Sequence, residues 1–129
     1  MGVVSALVAL VSGLTGCGSG ARQCEELYAT VIGAVDGVAS VDAECSQQFG
    51  GGWERVDVHL ATNDADGART IGEEVLKAVA AEPDMEPLWA TPRAYYLEDG
   101  TEATIGLRDL GFNGVPTVRE VREHYGIEP

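Results

Sequence analysis

The stretch WERVDVHLATNDADGARTIGEEVLKAVAAE, Trp53 to Glu82, changes its hydrophobic period part-way along. At its start Val56, Val58 and Leu60 alternate with Arg55, Asp57 and His59. A period of two places one set on a buried face and the other on a solvated one, which is a half-buried strand. After the turn-rich NDADG, the residues Ile71, Val75 and Val79, with Ala68 and Leu76, recur at the spacing of an amphipathic helix, and Pro83 ends the pattern. A one-sided strand followed by a one-sided helix must bury both apolar faces against each other, and that makes a two-layer α+β domain.

The rest of the chain extends this reading in both directions. Upstream, Val41, Ala43, Cys45, Gln47 and Phe49 alternate with Asp42, Glu44, Ser46 and Gln48, and the glycines at 50–52 allow a reversal into Trp53. The two runs form an expected hairpin. Before it, Cys24, Leu27, Tyr28, Val31, Ile32, Val35 and Val38 have helical spacing. Downstream, the proline-punctuated MEPLWATP connects to Arg93–Glu98 and Thr101–Leu107, which flank Asp99-Gly100, a dipeptide suited to a two-residue hairpin turn. Thr117 and Glu120 have the spacing of a capping box, Val118, Val121 and Tyr125 supply an apolar face, and Gly126 can end the last helix. The expected order is αββαββα, with a four-stranded antiparallel sheet and the helices on one face. The phrases VIGAVDGVA from Val31 and VLKAVAAEP from Val75 fall in equivalent helices of the two αββ units. The sheet's other face then carries Asp42, Glu44 and one of Tyr95 or Tyr96, and its candidate binding residues are Arg55, Asp57 and His59.

At 129 residues the chain is within the range of one domain. Its net charge of −13 sets one lysine and seven arginines against 21 acids. That balance repels a polyphosphate backbone, so nucleic acid is excluded as an expected partner, and a solvated acidic surface favours solubility.

From Met1 to Ala21 the only ionisable side chain is Cys17, and Val3 to Leu14 is an almost unbroken apolar run. The run matches the roughly 7–15 residues of a signal-peptide core and falls short of the roughly 20 needed to span a bilayer. It ends in LTGC, Leu14 to Cys17, which resembles the lipobox of bacterial lipoproteins: an aliphatic residue, two small residues, then cysteine. Met1 is followed by Gly2 and Val3 where that family opens with Lys or Arg. The resemblance implies that residues 1–16 are a signal peptide, that Cys17 receives a diacylglycerol lipid and becomes the mature amino terminus, and that residues 17–23 are a lipidated tether. The single α+β domain is then 24–129. Two acyl chains hold a protein stably on a bilayer where one is marginal. The implied location is the extracytoplasmic face of the cell membrane.

With Cys17 taken by lipid, Cys24 and Cys45 remain as an even pair in an oxidising compartment. If Cys24 begins a helix ending near Asp36 and a strand runs back from about Ser40, the helix covers about 18 Å and the strand about 17 Å. Both sulfurs then arrive at one end of the packed unit, and a structural disulfide is expected. A CxxC spacing, which a redox catalyst needs, is absent.

Candidate chemistry is sparse. Asp57 and His59 share a strand face, as a base and its orienting carboxylate must, but neither Ser nor Cys stands beside them as nucleophile. Asp42 or Glu44 across the hairpin could complete a metal site only if the fold brought them in. Thr62 to Glu73, TNDADGARTIGE, resembles an EF-hand calcium loop with Asp64, Asp66, Gly67 and Glu73 in its third, fifth, sixth and twelfth places. It departs from that pattern at Thr62 and Arg69. The competing role for Asp64 and Asp66 is a turn that caps the following helix. The function these observations support is a non-catalytic, membrane-anchored module that binds an envelope or protein partner, of which phage-exclusion lipoproteins are one kind. Calcium binding by loop 62–73 is the alternative.

Overall fold

The computed structural model describes residues 20–46 and 52–129. The expected leader and Cys17, and the Gln47 to Gly51 part of the first hairpin, lie outside the described residues. The elements run α1 (Gly20–Gly33), β1 (Val38–Ser46), β2 (Trp53–Leu60), α2 (Ala65–Ala81), β3 (Ala94–Tyr96), β4 (Glu102–Ala103), a short α3 (Leu107–Leu110) and α4 (Val118–Tyr125). The α+β, two-layer reading holds. α1 begins inside the segment expected as tether, so Gly20 to Gln23 are helical.

The sheet has the order β1-β2-β3-β4. β1 and β2 pair antiparallel, as do β3 and β4, but β2 and β3 run parallel, with Val58 beside Tyr95 and His59 beside Tyr96. This corrects the all-antiparallel expectation. The reason is α2: its 17 residues rise about 26 Å, close to the length of β2, so the crossover returns the chain to the end where β2 began. Two adjacent strands joined by such a helix must run the same way.

The second hairpin is also shorter than the sequence suggests. Leu97 and Thr101 close the Asp99-Gly100 turn through an N–H to carbonyl bond of 2.7 Å, but pairing stops at Ala103. Gly106, at φ +79°, turns the chain into α3 instead of continuing the strand.

Val56, Val58 and Leu60 point into a core shared with Cys24, Tyr28 and Ile32 of α1, Val75 and Val79 of α2, Tyr95 of β3 and Val118 of α4. Each such aliphatic side chain stabilises the fold by about 1.5–3 kcal/mol relative to exposure. A smaller cluster of Leu76, Ala80, Phe112 and Val121 seats α4 on α2. Two polar groups caught in these layers are bonded, the Tyr28 hydroxyl donating to the Ala90 carbonyl at 2.6 Å and Thr91 Oγ1 to the Pro116 carbonyl at 2.7 Å, whereas the buried Tyr95 hydroxyl meets no partner among the described residues. Arg122 closes the C-terminal end of α2, its guanidinium donating to the carbonyls of Ala80, Glu82 and Met85. A cation there complements the negative end of the helix dipole.

Cys24 and Cys45 form a disulfide with Cα atoms 6.2 Å apart. It ties the first turns of α1 to the last turn of the β1 pleat, the end at which the lengths of helix and strand place both residues.

Candidate functional site: the open face of the sheet

With Val56, Val58 and Leu60 turned inward, the alternation of β2 turns Trp53, Arg55, Asp57 and His59 outward. The register of β1 places Glu44 opposite Arg55, Asp42 opposite Asp57 and Ser40 opposite His59. The three expected residues therefore lie together on one surface, each with a partner. Arg55 Nη1 donates to Glu44 Oε1 at 2.8 Å, and its guanidinium lies 4.9 Å from the centre of the Trp53 ring. His59 Nε2 meets Asp42 Oδ2 at 3.0 Å, a diagonal contact, while the His59 ring stacks on Tyr96 with centroids 5.2 Å apart. Asp57 is held by Arg93, whose Nε and Nη2 donate to Oδ1 and Oδ2 at 2.9 and 3.3 Å. The Asp57 carboxylate, first by accepting these bonds, raises the pKa of the Arg93 guanidinium.

Two consequences follow for chemistry. His59 is oriented by Asp42 and Tyr96 rather than by Asp57, so the Asp57–His59 pairing of a base with its orienting carboxylate is not formed. The surface is instead a ladder of paired polar side chains, and the ion pairs among them, Arg55–Glu44 and Arg93–Asp57, are weakened by solvent screening. Such pairs can be exchanged for a partner's charges at little cost, which suits recognition. Sequence reasoning missed Arg93 and the Asp42 contact because both depend on strand register. Parallel pairing of β2 with β3 delivers Arg93, whose own N–H donates to the Val56 carbonyl at 2.9 Å.

The calcium-like loop is built as a helix start. Asp64 Oδ2 accepts the Gly67 N–H at 2.7 Å as the N-cap of α2, and Thr62 Oγ1 accepts the Asp64 N–H at 3.1 Å. Asp66 lies in the first turn of the helix, where its charge suits the dipole. Glu73 sits two turns further on and accepts the Tyr125 hydroxyl at 2.8 Å. The fold thus does not draw Asp64, Asp66 and Glu73 into one cluster. Among the described residues no three His, Cys, Asp or Glu side chains gather as a metal site, and no helix is long and apolar enough to cross a membrane.

The other histidine, His124, lines a cleft of about 520 Å³ with Gly111 to Pro116, Glu120 and Glu123. Its ring packs on Phe112 at 4.6 Å between centroids. Glu120 is committed to the Thr117 capping box. The cleft has no nucleophile paired to the imidazole, and it is described by packing. Comparison with family models, curated proteins and solved structures finds no match to this chain.

Proposed function

We propose that the protein is a lipid-anchored extracytoplasmic module that binds an envelope or protein partner through the open sheet face, without catalysis. The observation that carries the reading is the Cys24–Cys45 disulfide. A buried, structural disulfide suits an oxidising compartment, and it accounts for two of the chain's three cysteines. The third, Cys17, stands at the end of an apolar run in the lipobox-like LTGC. The binding half of the proposal rests on the ladder formed by Arg55, Asp57, His59 and Arg93, where aromatic rings and exchangeable charges share one surface.

The test is membrane fractionation of the full chain expressed in a bacterium with lipoprotein processing, next to Cys17→Ser. The expected result is a membrane-bound product that becomes soluble or unprocessed on substitution. Equal partitioning of the two forms, with the same processing and no lipid added to either, would overturn the anchor.

A further inference from the structure

We infer that the free edge of β1 is a docking site for an extended cationic peptide segment of a partner, which adds as a fifth strand to the sheet. This deepens the binding reading by naming the partner's chemistry, and it is independent of the lipid anchor.

Among the described residues β1 is the outermost strand, nine residues long and paired on one side only. The N–H of Cys45 points away from β2 and donates to the Glu25 carboxylate at 2.9 Å. Backbone groups alternate along a strand, so the N–H groups of Ala43 and Val41 point the same way as that of Cys45, outward along the edge. β2 shows the complementary pattern: the carbonyl of Val56, opposite Ala43, turns away from β1 and accepts from Arg93. Among the described residues, the N–H groups of Val41 and Ala43 meet no other partner, and both residues are half-buried. An edge of this kind is a template for another strand.

The side chains decide which strand. A surface groove of about 530 Å³ wraps from this edge onto the open face, lined by Glu25, Val41, Asp42, Ala43, Glu44, Arg55 and Asp57. It holds four carboxylates against one guanidinium. A second copy of the chain is disfavoured, because antiparallel pairing of β1 with itself about Ala43 sets Asp42 against Glu44 twice, and like charges directly opposed are destabilising. A strand with Lys or Arg at alternate positions places its cations beside Asp42 and Glu44 and small or apolar residues beside Val41 and Ala43. Asp42 and Glu44 are free to change partners, since their side chains are 75% and 60% exposed.

The test uses the full chain carrying Cys17→Ser, labelled with ¹⁵N, and a capped synthetic peptide of about eight residues alternating Lys and Val. Binding is expected to slow hydrogen exchange at the Val41 and Ala43 amides. Ala43→Pro removes only an outward N–H, so the β1–β2 ladder survives, and affinity should fall about tenfold or more. Asp42→Asn with Glu44→Gln should weaken binding and flatten its salt dependence, and a Glu-Val peptide of the same length should not bind. Three results would overturn the inference: no binding of the Lys-Val peptide, binding indifferent to Ala43→Pro, or self-association of the chain through β1. Binding lost with Asp57→Asn but kept with Ala43→Pro would retain the open face as the site and reject the edge.

Discussion

At Gly72 the absence of a side chain lets α2 lie against the loop that follows β4. A Cβ built there would fall 2.6 Å from Ile105 Cγ2 and 2.9 Å from its Cδ1. Ile105 is buried and β-branched, so it has little freedom to withdraw. Gly72→Ala gains helix propensity of about 1 kcal/mol but overpacks the core at a cost of about 1–3 kcal/mol. We expect a net loss of stability in chemical denaturation, and a gain would show that the contact relaxes freely. Three phenols supply a second prediction at this scale. Burial pushes the pKa of Tyr28 and Tyr95 well above the ordinary 10.0, and burial together with the hydrogen bond to Glu73 pushes Tyr125 up to about 12. Because the folded values are raised, the contribution to stability is complete below pH 10 and is lost as pH climbs through the folded values. Phenolate absorbance from the buried Tyr28 and Tyr95 should therefore emerge together with unfolding above pH 10, and its appearance in a still-folded chain would contradict their burial. Some single-residue roles were legible in the sequence, such as Asp64 as a helix cap and Thr117 with Glu120 as a capping box, because capping is local. The partners of Asp57 and His59 were not, because they are set by strands that meet only in the folded sheet.

At the scale of elements, the α1–β1 unit relies on one covalent tie. The disulfide closes a sequence separation of 21, which the chain-entropy model values at roughly 3 kcal/mol. The double substitution Cys24→Ser, Cys45→Ser should lower the unfolding free energy by about that amount while the spectrum of the folded state is kept. An unchanged denaturation midpoint would remove the disulfide from the account. The strand at Trp53–Leu60 and the helix at Ala65–Ala81 follow from period alone, since each buries a continuous apolar face. The second hairpin was less legible. Asp99-Gly100 marked its turn correctly, but Gly106 interrupts the apparent strand, and Ile105 turns into the core above α2 instead of extending the ladder with β3. The first helix ends at Gly33 rather than near Asp36, since the chain turns at Gly37, φ +95°, to enter β1 at Val38.

For the whole molecule, period and order give two layers, but strand direction comes from the path of α2, whose length matches that of β2. Once β2 and β3 run parallel, Arg93 reaches Asp57, Tyr96 reaches His59, and the open face becomes one connected surface. The surplus of acids over bases then has a place in the account, since it is what would match the β1 edge to the cationic segments proposed for it. The most direct measurement is the intact mass of the full chain recovered from membranes, taken without reductant and after exposure to a thiol-alkylating reagent. The account predicts a product beginning at Cys17, carrying added diacylglycerol mass, lacking two hydrogens for the Cys24–Cys45 bond and taking up no alkyl group. A full-length, unlipidated chain that alkylates at Cys17 would contradict the proposed address and with it the extracytoplasmic setting of the binding face.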